Sequence, residues 1–324
     1  MKTSNIKVNR LEEFTISFLA ILLGMIGFSL AYLKAEHVLG FPFHMSSILL
    51  YTTIALSAVI FILYFLKWIK YPKSVKKELD HPIKLNFFPI LAKLFLIASI
   101  IYVGTNFILA KYLWWIGVFV QSFFTLYIMS LWIRHSKFEI KHINPSWFIP
   151  IVGNILIPIA GVQFISKEVS WFFFSIGLIW WVVLFTIVVN RMIFFNPIPD
   201  KLLPTFFILF APPAIGFISL TKLVGEVTDF GRILYYFALF MFILIMFQAN
   251  LFTKIKFYLS WWAYSFPVVA LTVATILMYE KTQLLFFNYL SWGLFIFLNL
   301  VIILLIVKTI GAVKKKKICI AEED

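Results

Sequence analysis

Apolar residues crowd into ten long stretches, separated by shorter polar segments. They fall near residues 14–33, 46–66, 86–108, 112–133, 146–165, 170–190, 202–221, 233–251, 258–279 and 286–307. A helix of about 20 apolar residues crosses the hydrocarbon core of a bilayer. The pattern therefore predicts an all-α integral membrane protein with ten transmembrane helices. Proline adds a second pattern. Pro89 falls in the third stretch, Pro150 and Pro158 in the fifth, Pro212 and Pro213 in the seventh, and Pro267 in the ninth. None falls within an even-numbered stretch. Proline removes a backbone donor and bends a helix, which lipid tolerates only where the freed carbonyls face protein or a water-filled cavity. The alternation predicts bent odd helices around an axis, jacketed by straighter even ones.

The links at one end are short, near Leu109–Lys111, Ser166–Val169 and Glu280–Leu285. Short links make antiparallel neighbours, so the chain reads as five helical hairpins of one orientation around a central path. Repeats of like orientation share an axis along the membrane normal. The first stretch carries Ala20, Gly24, Gly27 and Ala31 at helical spacing, and the ninth carries Ala263, Ala270 and Ala274, interrupted by Phe266. Small residues on one face serve close helix packing or leave room in a lumen, and both readings stand at this point.

Composition fits this picture: of 324 residues, 62% are hydrophobic and only 13% charged, too apolar for a soluble domain. The first stretch is too long for the core of a signal peptide and lacks a small-residue cleavage site. The net charge of +14 is distributed by topology. One set of segments, including both termini and the 67–85 and 134–145 loops, holds 21 of the 28 lysines and arginines. The opposite set holds Lys34, Lys111, Lys167, Lys222, Arg232 and Lys281. The positive-inside rule places the first set, with both termini, in the cytoplasm. The Lys314–Lys317 run then reads as a topological signal, with binding of lipid headgroups as the alternative. Nothing in this charge pattern points to nucleic acid.

Candidate chemistry is sparse. Lys93 is the one basic or acidic side chain deep in a stretch, a costly placement that marks function by default. Its head either snorkels to the cytoplasmic surface or sits as a cation near the inner mouth, on the same face as Pro89. Asn154 and Gln121 are in-span amides that suit interhelical hydrogen bonds, and Asn154 could also reach a lumen. His37, His44, His81, His135 and His142 lie in loops or at span ends, and the single cysteine, Cys319, excludes an intrachain disulfide and a cysteine metal cluster. No catalytic constellation appears, so an enzyme is not expected, and no cofactor or metal is called for.

These residues resemble a known family. Gly24-Met-Ile-Gly-Phe-Ser-Leu-Ala-Tyr32, His81-Pro-Ile-Lys84, Trp115-Ile-Gly117 with Gln121, Asn144-Pro-Ser-Trp-Phe-Ile-Pro150 with Asn154, Ala211-Pro-Pro213 and Trp261-Trp-Ala-Tyr-Ser-Phe-Pro267 occur in order over ten stretches. The chain thus resembles, over roughly residues 14 to 310, the tellurite-resistance/dicarboxylate transporter family. That family holds bacterial TehA-like proteins, plant guard-cell slow anion channels, fungal malate permeases and sulfite efflux pumps. The resemblance implies five quasi-symmetric hairpins, odd helices lining the pore, a homotrimer with one pore per subunit, and a phenylalanine of the ninth helix plugging that pore. Phe266 matches this position, where the bare residue alternatively reads as ordinary core. Two departures are the lack of a proline at the start of the first span and a Pro89 that stands about one turn early.

The chain is expected to comprise a cytoplasmic N-terminal segment (1–13), a ten-helix transmembrane channel domain (14–310) and a basic/acidic cytoplasmic tail (311–324). The expected activity is passive permeation of small inorganic or organic anions through the cytoplasmic membrane, occluded at Phe266. Ala20, Gly24, Gly27, Pro89, Lys93, Pro150, Asn154, Pro158, Pro212, Pro213, Ala263, Pro267 and Ala270 line or bend that path. The alternative is a secondary carrier or efflux protein for dicarboxylate, sulfite or tellurite-related anions. The expected partners are those anions, membrane lipid and further copies of the chain.

Overall fold

The structure, a computed structural model, describes residues 9–134 and 137–319, Thr253 by its backbone alone. His135 and residues 1–8 and 320–324 lie outside the described residues. All regular structure among the described residues is helical. The α-helices are, in order, α1 (Leu19–Lys34), α2 (Met45–Lys70), α3 (Pro72–Asp80), α4 (Ile90–Tyr102), α5 (Phe107–Arg134), α6 (Ile149–Gly161), α7 (Lys167–Phe194), α8 (Ala211–Val224), α9 (Asp229–Phe247), α10 (Asn250–Thr253), α11 (Ser265–Thr282) and α12 (Leu285–Lys314). With their 3₁₀ extensions, nine helical segments among the described residues are long and apolar enough to cross a membrane. The segment at the fifth predicted span, Pro145–Gly161, is apolar but shorter. The chain is a multi-pass membrane protein.

Burial separates the helices into two layers. In the segments containing α1, α4, α8 and α11, 67 to 89% of the apolar window is buried, whereas α2, α5, α7, α9 and α12 bury 17 to 33%. Every residue of α6 is buried. Consecutive helices pack as pairs: α1 with α2, α4 with α5, α6 with α7, α8 with α9, and α11 with α12. The buried members also pack on one another in a closed cycle, α1 on α4, α4 on α6, α6 on α8, α8 on α11, and α11 back on α1. The outer helices turn large apolar side chains outward, among them Ile62, Phe119, Ile179, Phe240 and Leu300. Water would penalise such a surface, but hydrocarbon does not.

Each buried helix begins in a 3₁₀ turn or segment: Ile16–Phe18 before α1, Lys84–Phe87 before α4, Pro145–Phe148 before α6, Asp200–Phe210 before α8 and Leu259–Tyr264 before α11. The prolines cluster where 3₁₀ gives way to α. Pro89 is the residue before α4, Pro150, Pro212 and Pro213 stand in first turns, and Pro267 is the third residue of α11. At these positions the missing N–H is largely an orphan anyway. Pro158 alone of the six lies well inside an α-helix. The expected mid-helix bends therefore give way to helix-type junctions. The first span reaches the same geometry without proline, because the Thr15 hydroxyl accepts from the Ser17 N–H at 3.1 Å.

Two links differ from expectation. Residues 109–111, expected as a turn, lie within α5, because the chain reverses earlier, at Val103–Asn106. The Asn106 side chain there accepts from the Leu109 N–H at 3.0 Å and starts the helix. The 67–85 loop contains the amphipathic helix α3, which buries Val75 and Glu78 and exposes Lys73, Lys76 and Lys77. Glu78 ties three elements together. Its carboxylate accepts from Lys67 Nζ at 2.9 Å, the Tyr64 hydroxyl at 2.8 Å and the Ile16 N–H at 3.3 Å. Lys67 Nζ also donates to the Phe14 carbonyl at 2.9 Å.

Candidate functional site

All five buried helices contribute to one cavity of about 190 Å³. Its walls are aliphatic, with Leu30 from α1, Ile97 from α4, Leu156 from α6, Ile215 from α8 and Val269 from α11. Phe266, in the first turn of α11, also borders it, whereas Lys34, His37 and Lys222 border it at the C-terminal ends of α1 and α8. Such walls offer a solute few fixed donors.

The Phe266 ring rests on α1. A Cβ placed on Gly27 would stand 3.2 Å from Phe266 Cδ2 and 3.2 Å from Val269 Cγ1, so the bare glycine makes room for the ring. Gly24, one turn earlier, is packed harder: a Cβ there would stand 2.3 Å from Ser265 Oγ and 2.8 Å from Ser265 Cβ. The small-residue stripe therefore serves the α1–α11 contact at Gly24 and the seat of an aromatic ring at Gly27. Ala270 borders the cavity, whereas Ala20 and Ala263 are not among its lining residues. Pro89, Pro150, Pro158, Pro212, Pro213 and Pro267 are all buried without lining it.

Lys93 does not snorkel. It is 3% exposed, and its ammonium donates to the Ile149 carbonyl at 2.6 Å, the Pro89 carbonyl at 3.4 Å and Gln121 Oε1 at 3.5 Å. No acidic side chain bonds to it among the described residues. Gln121 Nε2 donates to the Pro150 carbonyl at 2.6 Å and Thr125 Oγ1 to the same carbonyl at 3.0 Å. Asn154 Nδ2 donates to Thr125 Oγ1 at 3.0 Å and to the Ile151 carbonyl at 2.9 Å. These side chains bind the first turn of α6 to α4 and α5, and this buried seam holds both amides singled out from sequence. Lys93 precedes Ile97 and Ile100 by four and seven residues, so its backbone continues the cavity-lining stripe of α4.

The sequence reading missed the aliphatic wall. Leucine and isoleucine facing a lumen read like those facing lipid. The available signal was helical spacing on the odd stretches, as in Ile215, Ile218 and Lys222, or Phe266, Val269, Ala270 and Val273.

Comparison with known proteins places this arrangement. Residues 13–310 match the family model described as SLAC1, voltage-dependent anion channel. An uncharacterized transporter of Methanocaldococcus jannaschii is 30% identical over 293 residues, covering 83% of this chain and 85% of the relative. The S-type anion channel SLAH2 of Arabidopsis thaliana is 32% identical over 251 residues, 76% of this chain but only 48% of the relative's length. A tellurite resistance protein TehA homolog of Haemophilus influenzae is 24% identical over 322 residues, covering 97% of this chain and 95% of the relative. These relatives are named as channels, transporters or a resistance protein, and none is named as an enzyme. With nearly its whole length matched, this multi-pass helical chain belongs to the SLAC1 family of anion channels and transporters.

Proposed function

We propose that the chain is an anion-selective channel that lets small anions pass passively along a central path within each subunit. In this reading ten helices form five hairpins, the buried helix of each surrounds the path, and Phe266 occludes it. The observation that carries the reading is the cavity bordered by Phe266 and built from one buried helix of every pair. A ring in a narrow apolar path stops ions sterically and by dewetting. Permeation needs weak contacts rather than a tight site, which aliphatic walls suit. No acidic residue falls within the apolar stretches to bind cations or couple protons.

The excess of lysine and arginine in alternate loops supports cytoplasmic termini and a place in the cytoplasmic membrane. The family supports a homotrimer, since apolar outer helices can meet lipid or another subunit. Three subunits in native mass spectrometry, and exclusion of a membrane-impermeant cytoplasmic label from the Lys222–Arg232 segment, are the corresponding checks. The function itself is tested by recording purified protein, and its Phe266→Ala variant with the occluding ring removed, in planar bilayers across chloride, nitrate and dicarboxylates. A channel gives anion current that rises with driving force, far above carrier turnover. Saturable flux without resolvable current would instead favour the carrier reading.

A further inference from the structure

The cavity mouth at the C-terminal ends of α1, α8 and α11 carries more charge than the rest of its lining. Lys34 and Lys222 both border it, but their situations differ. Lys34 Nζ lies 2.6 Å from a Glu280 carboxylate oxygen, with side chains 22% and 38% exposed. Lys281 is turned to the backbone, donating to the Gly225 carbonyl at 2.8 Å. The other acid at this end of α1, Glu36, is engaged by the Ser46 N–H at 2.8 Å and the Ser46 hydroxyl at 2.6 Å. Lys222 is exposed, borders the cavity, and makes no hydrogen bond or ion pair among the described residues. The charges close enough to act on it are Lys34, Glu280 and Lys281.

One ammonium thus faces the cavity with its donors unused, while its neighbour is neutralised by an acid of the same chain. Resting on the channel reading above, we infer that Lys222, the free cation of this mouth among the described residues, captures a small inorganic anion there, while Glu280 is a built-in counter-ion that withholds Lys34 from the same task. Glu280 occupies Lys34 as a solute carboxylate would, and so lowers the number of cations an arriving anion meets. The mouth then concentrates anions without holding them tightly, because one exposed charge contact in water is weak.

Chloride binding to the purified protein in detergent, followed by ³⁵Cl NMR line broadening, tests this without requiring an open path. Lys222→Gln should weaken binding about fivefold, the worth of one unit charge in contact across water. Lys222→Arg should retain it. Glu280→Gln should strengthen it by a similar factor by releasing Lys34, and Lys111→Gln, a charge loss on α5 outside the cavity lining, should change nothing. Absence of broadening in the parent protein, or equal broadening in parent and Lys222→Gln, overturns the inference. The channel reading fails separately: Lys222-dependent chloride binding in a protein whose Phe266→Ala variant passes no current would sink that reading alone.

Discussion

Lys93 is a buried ammonium whose partners are carbonyls and an amide rather than an acid. Its hydrogen bonds favour keeping it, and the loss of water around an unneutralised charge opposes it. The Ile149 and Pro89 carbonyls each keep a second lone pair for the helix, so removing the ammonium does not strand them fully. Lys93→Met is therefore expected to melt no lower than the parent in detergent, and would lower the anion current of the Phe266→Ala background only if the buried head acts on the path as a fixed positive charge. A large fall in melting temperature would mean that the seam depends on the cation. The two glycines of α1 give a second contrast. Alanine at Gly24 drives a methyl into Ser265, so α1 and α11 must part, whereas alanine at Gly27 meets side-chain atoms of Phe266 and Val269 that can yield. Overpacking costs about 1–3 kcal/mol, and thermal unfolding should place Gly24→Ala at the upper end or beyond and Gly27→Ala at the lower. The reverse order would contradict the packing described here. Glycine stripes announce such contacts in a sequence, but which glycine packs a helix and which seats a ring depends on the residues opposite.

At the scale of elements, the Glu78–Lys67 pair fastens the start of α1 and the amphipathic α3 to the end of α2. Both side chains are almost wholly buried, at 6% and 2% exposure. Glu78→Gln leaves the Lys67 charge buried beside a neutral amide, a change that typically costs about 3–5 kcal/mol. Unfolding should show that loss, and the double variant Lys67→Met/Glu78→Leu should recover most of it. Failure of the double variant to recover would mean that the loss does not come from the stranded charge. The spans themselves were legible because an apolar run long enough for a bilayer has few other meanings. The 3₁₀ segments were not, since Leu259–Tyr264 is as apolar as the α-helix it precedes and proline signals a junction without giving its type. Helix α3 hid behind its charges, although Pro72 at its first position and the burial pair Val75 and Glu78 fit a helix with one face inward. The predicted turn at 109–111 failed because apolarity continues past the reversal at Val103–Asn106, where the Asn106 side chain starts the next helix.

For the whole molecule, the alternation of prolines along the chain corresponds to a real division between buried and outward-facing helices. The centre of that division is the least legible part, since its walls are as apolar as the lipid-facing surface. The charge pattern marked Lys34 and Lys222 only as loop residues of one side, and position along the sequence could not say that their side chains share a cavity. The central claim is that Phe266 closes the path. The ring is half-buried, seated on Gly27 and bordering the cavity, so its loss widens a space that already exists. Truncating a fully buried phenylalanine costs about 3–5 kcal/mol, and a ring at a cavity edge should cost less. The most direct test is planar-bilayer recording of Phe266→Ala beside the parent, with thermal unfolding of both. A large, constitutive anion current with modest destabilisation is expected, whereas marked destabilisation without added current would make Phe266 an ordinary packing residue and contradict the account.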